Sequence, residues 1–209
     1  MDTDDGERMG LRERKKQETR IALSWAAIRL TVERGLENVR VEDIAAEVGV
    51  SPRTFNNYFS SKGEAIAVRH LERTRSIAAE LRAQPVSKPL WEAINDAALA
   101  RFALGQEGDA RHTRDQQWIA GLRLMIAEPA LQGEMIKAGA IAEAELAAAV
   151  AERTGTDVTR DMYPRLVAGA VGAAFAVVAE HWLRADPPVS IMTLLDDALR
   201  RLAAGLPAP

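Results

Sequence analysis

Apolar residues recur along most of the chain at three- and four-residue intervals, the period of an α-helix, and no stretch reads as a strand. Val41, Ile44, Ala45 and Val48 form one such stripe. Gly49 follows as a stop signal, because glycine takes the left-handed conformation at a helix C-terminus without a Cβ clash. Ser51-Pro52 then reads as an N-cap followed by a first helical residue. The serine oxygen accepts an orphan N–H there, and proline loses nothing where no bond was available. The short helix from Arg53 to Tyr58 is expected to bury Phe55 and Phe59 and to turn Arg53, Thr54, Asn56, Asn57 and Tyr58 elsewhere. Helix, glycine turn, short polar helix: this is the pattern of a helix-turn-helix DNA reader, although an ordinary helical hairpin has the same spacing.

The same reading extends over the whole chain and predicts an all-α fold of about nine helices. Residues 1–10 are polar and acidic and are expected to be a disordered tail. Helix 1 is placed at Leu11 to Arg34, with Ile21, Trp25, Ile28 and Val32 inward and Gly35 as its end. Ser61 and Glu64 form a capping box for helix 4, which runs to about Arg82. Helix 5 (Pro89 to Leu104), helix 6 (Thr113 to Ala127) and helix 7 (Pro129 to Arg153) follow, with a glycine-bearing loop at Gly105 to Asp109. Helix 8 runs from about Arg160 to Arg184 and ends at Asp186-Pro187-Pro188, and Ser190 caps helix 9. Two domains are expected, residues 11–62 and residues 63–209.

Helix 8 carries two stripes. Val167, Val171, Phe175, Val178 and Trp182 are bulky, while Gly169, Gly172, Ala173 and Ala176 are small. A glycine inside a helix costs about 1 kcal/mol against alanine, which invites a packing reason. Helices 8 and 9 are therefore expected to pair with their copies in a second subunit, as an isologous four-helix interface. The alternative is that both stripes are internal core.

Composition agrees with helices. Of the 209 residues 47% are hydrophobic, aromatics make up only 5%, and the absence of cysteine excludes disulfides and thiolate metal sites. The N-terminal decapeptide has no apolar core of a signal peptide, and the uncharged run Leu166 to Ala179 falls short of the ~20 residues that span a bilayer. A soluble, cytoplasmic protein without a membrane partner is expected. The net charge of −3 looks poor for a nucleic-acid binder until it is divided: Arg8 to Lys62 holds 11 Lys+Arg against 7 Asp+Glu. The basic end is the end with the reading helix. Arg12, Arg14, Lys15, Lys16 and Arg20 in helix 1 read as a solvated face or as an arm that tracks phosphates.

Catalytic chemistry finds no support. His70, His112 and His181 fall on separate helices, and there is no H-E-x-x-H, G-x-S-x-G, P-loop or G-x-G-x-x-G fingerprint. Asp196-Asp197 read as solvent-facing rather than metal-bound. No enzymatic activity, metal or cofactor is expected.

Residues 19–66 taken together resemble the N-terminal domain of TetR-family transcriptional regulators. The matching features are Thr19-Arg20 opening helix 1, Gly35, the IA-x-x-x-GVS core at Ile44 to Ser51, and the run from Thr54 to Lys62. The resemblance implies an all-helical homodimer that binds a double-stranded operator, usually represses, and releases DNA when a small molecule enters its C-terminal domain. It implies that Thr54, Tyr58 and Lys62 contact phosphates, and that Arg53, Asn56 and Asn57 lie where the reading helix meets base edges or backbone. Asn56 departs from the aromatic residue common at its position, and Arg40-Val41 from the threonine that often caps helix 2. Arg40 would replace that threonine's phosphate contact at the cost of the cap.

A ligand pocket in such an architecture would lie among helices 4 to 8, with Trp91, Phe102, Trp118, Leu122, Met125 and Phe175 as lining candidates, alongside Ile94, Met135 and Met162. Each of these also reads as plain core. Helices 6 to 9, including Pro129 to Gln132 and Ala179 to Leu183, resemble actinobacterial members of the family that bind acyl-CoA-like ligands, and the broader expectation is a hydrophobic or amphipathic effector. The alternative from another class is a helical structural or interaction protein that does not read DNA.

Overall fold

The computed structural model describes residues 3–103, 119–185 and 189–208, and every regular element among them is helical. In chain order these are α1 (Thr3–Arg34), a 3-10 turn (Leu36–Asn38), α2 (Val41–Val48), α3 (Pro52–Asn56), α4 (Lys62–Ala83), α5 (Leu90–Ala103), α6 (119–127), α7 (Pro129–Thr154), α8 (Tyr163–Arg184) and α9 (Ile191–Ala203). The first helix begins inside the segment read as a disordered tail, which contains no proline to stop it. The expected loop at Gly105 to Asp109, the start of helix 6 and the Asp186-Pro187-Pro188 terminator lie outside the described residues.

Packing divides the chain into two units. The first takes α1 to α3, α4 as far as His70, and α6 with α7 as far as Met135. Its core is built on Leu23, Ala27, Ile28 and Leu30 of α1, with Ile44, Phe55, Phe59, Ile66, Leu122 and Met125. The inward face of α1 is thus rotated from the expected one. Ile28 is buried, but Val32 is 50% exposed and Trp25 half-buried, with the Arg69 guanidinium 4.8 Å above its ring. Two polar residues hid the true face in the sequence. Ser24 and Thr31 are fully buried within it, and Ser24 Oγ donates to the Ala65 carbonyl at 2.5 Å. That bond satisfies a hydroxyl which would otherwise be costly to bury. Gly35 closes α1 with φ 81 and ψ 150, a conformation essentially confined to glycine.

The second unit takes α4 from Leu71, α5, α7 from Ile136, α8 and α9. Alanine is prominent in its core: Ala78, Ala93, Ala97, Ala98, Ala147, Ala149 and Ala168 sit among Ile94, Leu81, Val150, Val171, Leu195 and Leu199. Small side chains let helix axes approach toward the short end of the ~8–10 Å range. Ion pairs join α4 to α7 at seven-residue steps on both helices, Arg75 to Glu145 at 2.7 Å and Arg82 bidentate to Glu152 at 2.7 and 2.8 Å. The Arg82 hydrogen bond holds the Glu152 carboxyl below its ordinary range. Arg153 donates to the carbonyls of Gln84, Pro85 and Lys88 and so ties down the α4–α5 link. Hydrogen bonds from Asn95 first and Arg200 second lower the Asp196 carboxyl, and Asp197 pairs with Arg201.

The two stripes of α8 separate in the structure. Val167, Val171 and Val178 are buried, with Phe175 packed against that core. Leu166 and Val177 are 64% and 65% exposed, and Gly172, Ala173 and Ala176 are exposed beside them. The small stripe is not uniform, since a Cβ at Gly169 would meet Glu143 at 3.2 Å while one at Gly172 would meet nothing within 4 Å. The helix is 22 residues long, so the shorter uncharged run understated it. By length and composition alone it matches a bilayer-spanning helix, a match that core helices of soluble proteins share.

Candidate nucleic-acid interface

The turn between α2 and α3 forms as its residues dictate. Gly49 sits in the left-handed region at φ 72, ψ 31, its N–H donates to the Ala46 carbonyl at 3.0 Å, and Val50 N–H donates to Ala45 at 2.9 Å. Two carbonyls at the end of α2 are thereby satisfied. Ser51 is extended, and its Oγ accepts the Thr54 N–H at 3.1 Å, with Pro52 at the first helical position. Ser51→Ala should cost about 1 kcal/mol, the usual value of an N-cap, read as a lower midpoint in urea unfolding. An unchanged midpoint would mean that α3 is held by its packing alone.

That packing is aromatic. Phe55 and Phe59 are buried, their ring centroids 5.5 Å apart and the planes tilted by 49°, and the Arg20 guanidinium lies 5.3 Å from the Phe59 centroid. With Phe55 inward, the roughly 100° step per residue turns its neighbours out. Arg53, Asn56 and Asn57 are exposed, while Thr54 and Tyr58 are half-buried. The Thr54 hydroxyl is 2.9 Å from Ser51 Oγ, so it takes part in the cap. Of these five residues on one short segment, three face solvent fully. Arg40 is exposed at the start of α2, and the cap expected to be lost there is half kept, because the Arg40 N–H donates to Asp43 Oδ2 at 2.8 Å.

Lys62 differs from expectation. Its ammonium donates to the Leu36 carbonyl at 2.5 Å and the Val39 carbonyl at 3.0 Å. Two of its three N–H groups are committed inside the protein rather than held toward solvent. The physical reason is the Gly35 to Val39 link, where Leu36 and Val39 are buried: the Val39 carbonyl takes its donor from Lys62, and the Leu36 carbonyl otherwise has only a long 3.4 Å bond from Val39 N–H. Ser61 caps α4 as read, its Oγ accepting the Glu64 N–H at 3.0 Å, but the Glu64 carboxylate returns to Ser60 N–H and Oγ at 2.8 and 2.7 Å. Sequence reasoning missed the ion pair from Arg29 on α1 to Glu47 on α2 and the stacking of Arg69 on Trp25, neither of which carries a local signal.

The ligand-lining candidates divide between the units. Trp91 and Phe175 both pack, partly buried, against the core of the second unit, where Ile94 is fully buried. Leu122 and Met125 are buried in the first unit, on the helix whose Gly121 faces Ile28, and Met135 is half-buried there. Met162 is 76% exposed and lines no interior. Trp118 and the Phe102 side chain lie outside the described residues. Among the described residues no group of three His, Asp or Glu is arranged to hold a metal.

Comparison with known proteins agrees with this anatomy. Residues 25–66 match the N-terminal profile of bacterial regulatory proteins of the tetR family, and residues 88–207 match the MftR C-terminal domain. The HTH-type transcriptional regulator TcmR of Streptomyces glaucescens is 31% identical over 186 residues, covering 88% of this chain and 82% of its own. MftR of Mycobacterium tuberculosis, whose name assigns it to transcriptional regulation of mycofactocin biosynthesis, is 29% identical over 197 residues, 92% of this chain and 93% of its own. In fold, the chain resembles the TetR-family repressor FadR of Thermus thermophilus, solved with lauroyl-CoA, at a TM-score of 0.55 and 19% identity over 91% of this chain and 96% of that one. A reading segment with a buried aromatic back and a polar front, followed by a helical second unit, and matched on both parts, places this chain in the TetR family of DNA-binding transcriptional regulators.

Proposed function

We propose that the protein acts in the cytoplasm as a homodimer that binds a palindromic operator, represses the genes it controls, and is released by a small hydrophobic or amphipathic effector. The observation that carries this reading is the division of α3 and the turn after it, with Phe55 and Phe59 buried and Arg53, Asn56 and Asn57 exposed. Arginine pairs bidentately with guanine and asparagine with adenine, so this front suits base edges in a major groove. Thr54, Tyr58 and Arg40 serve the sugar–phosphate backbone and fix the register. Exposed Arg14, Lys15 and Lys16 on α1 add phosphate contacts that carry no sequence information. In this reading residues 11–62 hold the DNA-reading function, and residues 63–209 hold dimerisation and sensing.

The second subunit covers the exposed face of α8, together with α9. An apolar face with Leu166 and Val177 in solvent is what an isologous helical interface leaves when one copy is taken alone. Of the expected lining residues, Trp91 and Phe175 stand partly buried against the core of the second unit, and the effector contacts are assigned there. An acyl-CoA-like effector is supported by the lauroyl-CoA bound to the fold relative and by the apolar character of these side chains.

Selection of duplexes from a random pool, followed by electrophoretic shift, tests the proposal. The wild-type protein should enrich a two-fold symmetric site, with half-sites about one helical turn apart. Enrichment of no sequence at moderate salt would favour a helical interaction protein instead. Asn57→Ala should relax preference at one base position in each half-site, at a cost of ~1–3 kcal/mol for the preferred base. A uniform loss across all sequences would move Asn57 to the backbone contacts.

A further inference from the structure

We propose that Lys62 is a positioning residue that sets the angle of α2, and through it α3, rather than a phosphate ligand. This rests on the DNA-reading function proposed above. The Val39 carbonyl and the Arg40 N–H belong to one planar peptide unit. Its oxygen accepts from Lys62 Nζ at 3.0 Å, and its N–H donates to Asp43 Oδ2 at 2.8 Å. The plane is thus pinned at both ends, from the first turn of α4 on one side and from the first turn of α2 on the other. The same peptide starts α2, since the next carbonyl, that of Arg40, accepts from Asp43 and Ile44 N–H.

The second carbonyl held by Lys62, that of Leu36, belongs to the 3-10 turn that leaves Gly35. One ammonium therefore fixes both ends of the α1–α2 link against α4. Lys62 is itself held in place, because Ser61 caps the helix it opens and Glu64 binds Ser60. A side chain with two donors committed to carbonyls has one N–H left, and reaching a phosphate at full strength would mean abandoning the link. The consequence reaches the base-reading residues through Gly49, whose turn joins α2 to α3 without a flexible loop.

Two variants separate the roles. Lys62→Met removes charge and donors together, whereas Lys62→Gln removes the charge but keeps an N–H donor near the two carbonyls. The first measurement needs no DNA: amide hydrogen exchange at Val39 and Arg40 of the full-length protein should be clearly faster in Lys62→Met and intermediate in Lys62→Gln. The second uses a duplex that wild-type protein has enriched from a random pool. Lys62→Met should lower affinity on the order of tenfold or more, with the slope of log affinity against log salt unchanged and Lys62→Gln partly restoring the affinity. A phosphate ligand would instead lower the slope by ~0.9 in both variants and leave exchange at Arg40 as in the wild type. That result overturns the proposal. If wild-type protein enriches no duplex, the DNA-reading function fails, and exchange at Val39 and Arg40 still decides whether Lys62 holds the link.

Discussion

Phe55→Ala should abolish operator binding and destabilise the first unit by about 3–5 kcal/mol, the usual cost of emptying a buried phenylalanine site. Set against a whole-domain stability of ~5–15 kcal/mol, that is a large fraction. The reason is geometric. α3 spans only Pro52–Asn56, far too short to be stable alone, so its shape is borrowed from what it packs on. Phe55 is that anchor: it is completely buried and packed against the tilted ring of Phe59. Its loss leaves the Ser51 cap with nothing to hold the helix against. Thermal unfolding followed by circular dichroism should show an early transition that takes away part of the helical signal, while the remaining signal melts near the wild-type temperature. Phe55→Leu, which refills most of the volume, should recover much of the loss. A Phe55→Ala protein that still shifts its duplex at wild-type concentration would show that the aromatic pair is not the anchor.

Gly172→Arg should leave the protomer folded and turn the protein into a monomer. Nothing lies within 4 Å of a Cβ built at Gly172, so a new side chain there starts out into open space. Replacing a mid-helix glycine by arginine also gains somewhat less than about 1 kcal/mol in helix propensity. The penalty falls entirely on assembly. In a two-fold interface each substitution occurs twice, and here it sets two unmatched positive charges against an apolar face. Light scattering should report half the wild-type mass. Operator affinity should fall by orders of magnitude, because the second half-site is no longer delivered at the effective concentration of a tethered partner. A Gly172→Arg protein that remains dimeric would move the interface to another face. Gly169 would be a poor choice for this test, since Glu143 already fills the space beside it and a change there would mix folding with assembly.

What the sequence made legible was whatever is decided within one or two helical turns. The Gly49 stop, the Ser51-Pro52 start, the Ser61 cap and the inward Phe55 and Phe59 all depend on neighbours in the chain, and all stand in the structure. The face of α1 was misread because two polar residues, Ser24 and Thr31, sit inside it, and only a partner 41 residues away accounts for the serine. The inward turn of Lys62 was invisible for a related reason. Its acceptors are main-chain carbonyls, and carbonyls leave no mark in the pattern of side chains. The packing of α6 with α1 rests on Gly121 meeting Ile28, a contact between segments that no local period connects. Stripe, cap and turn are local physics, and the partner of a buried polar group is not.

The division of labour within α3 also bears on how the protein's target can change over generations. Stability rests on Phe55, Phe59 and Ser51, while Arg53, Asn56 and Asn57 stand in solvent. Exposed substitutions away from caps and cores usually shift stability by no more than ~0.5 kcal/mol. A lineage carrying this chain could therefore sample new side chains at those three positions without risking the fold. Operator and regulator could then drift together in single steps, each intermediate still a folded protein.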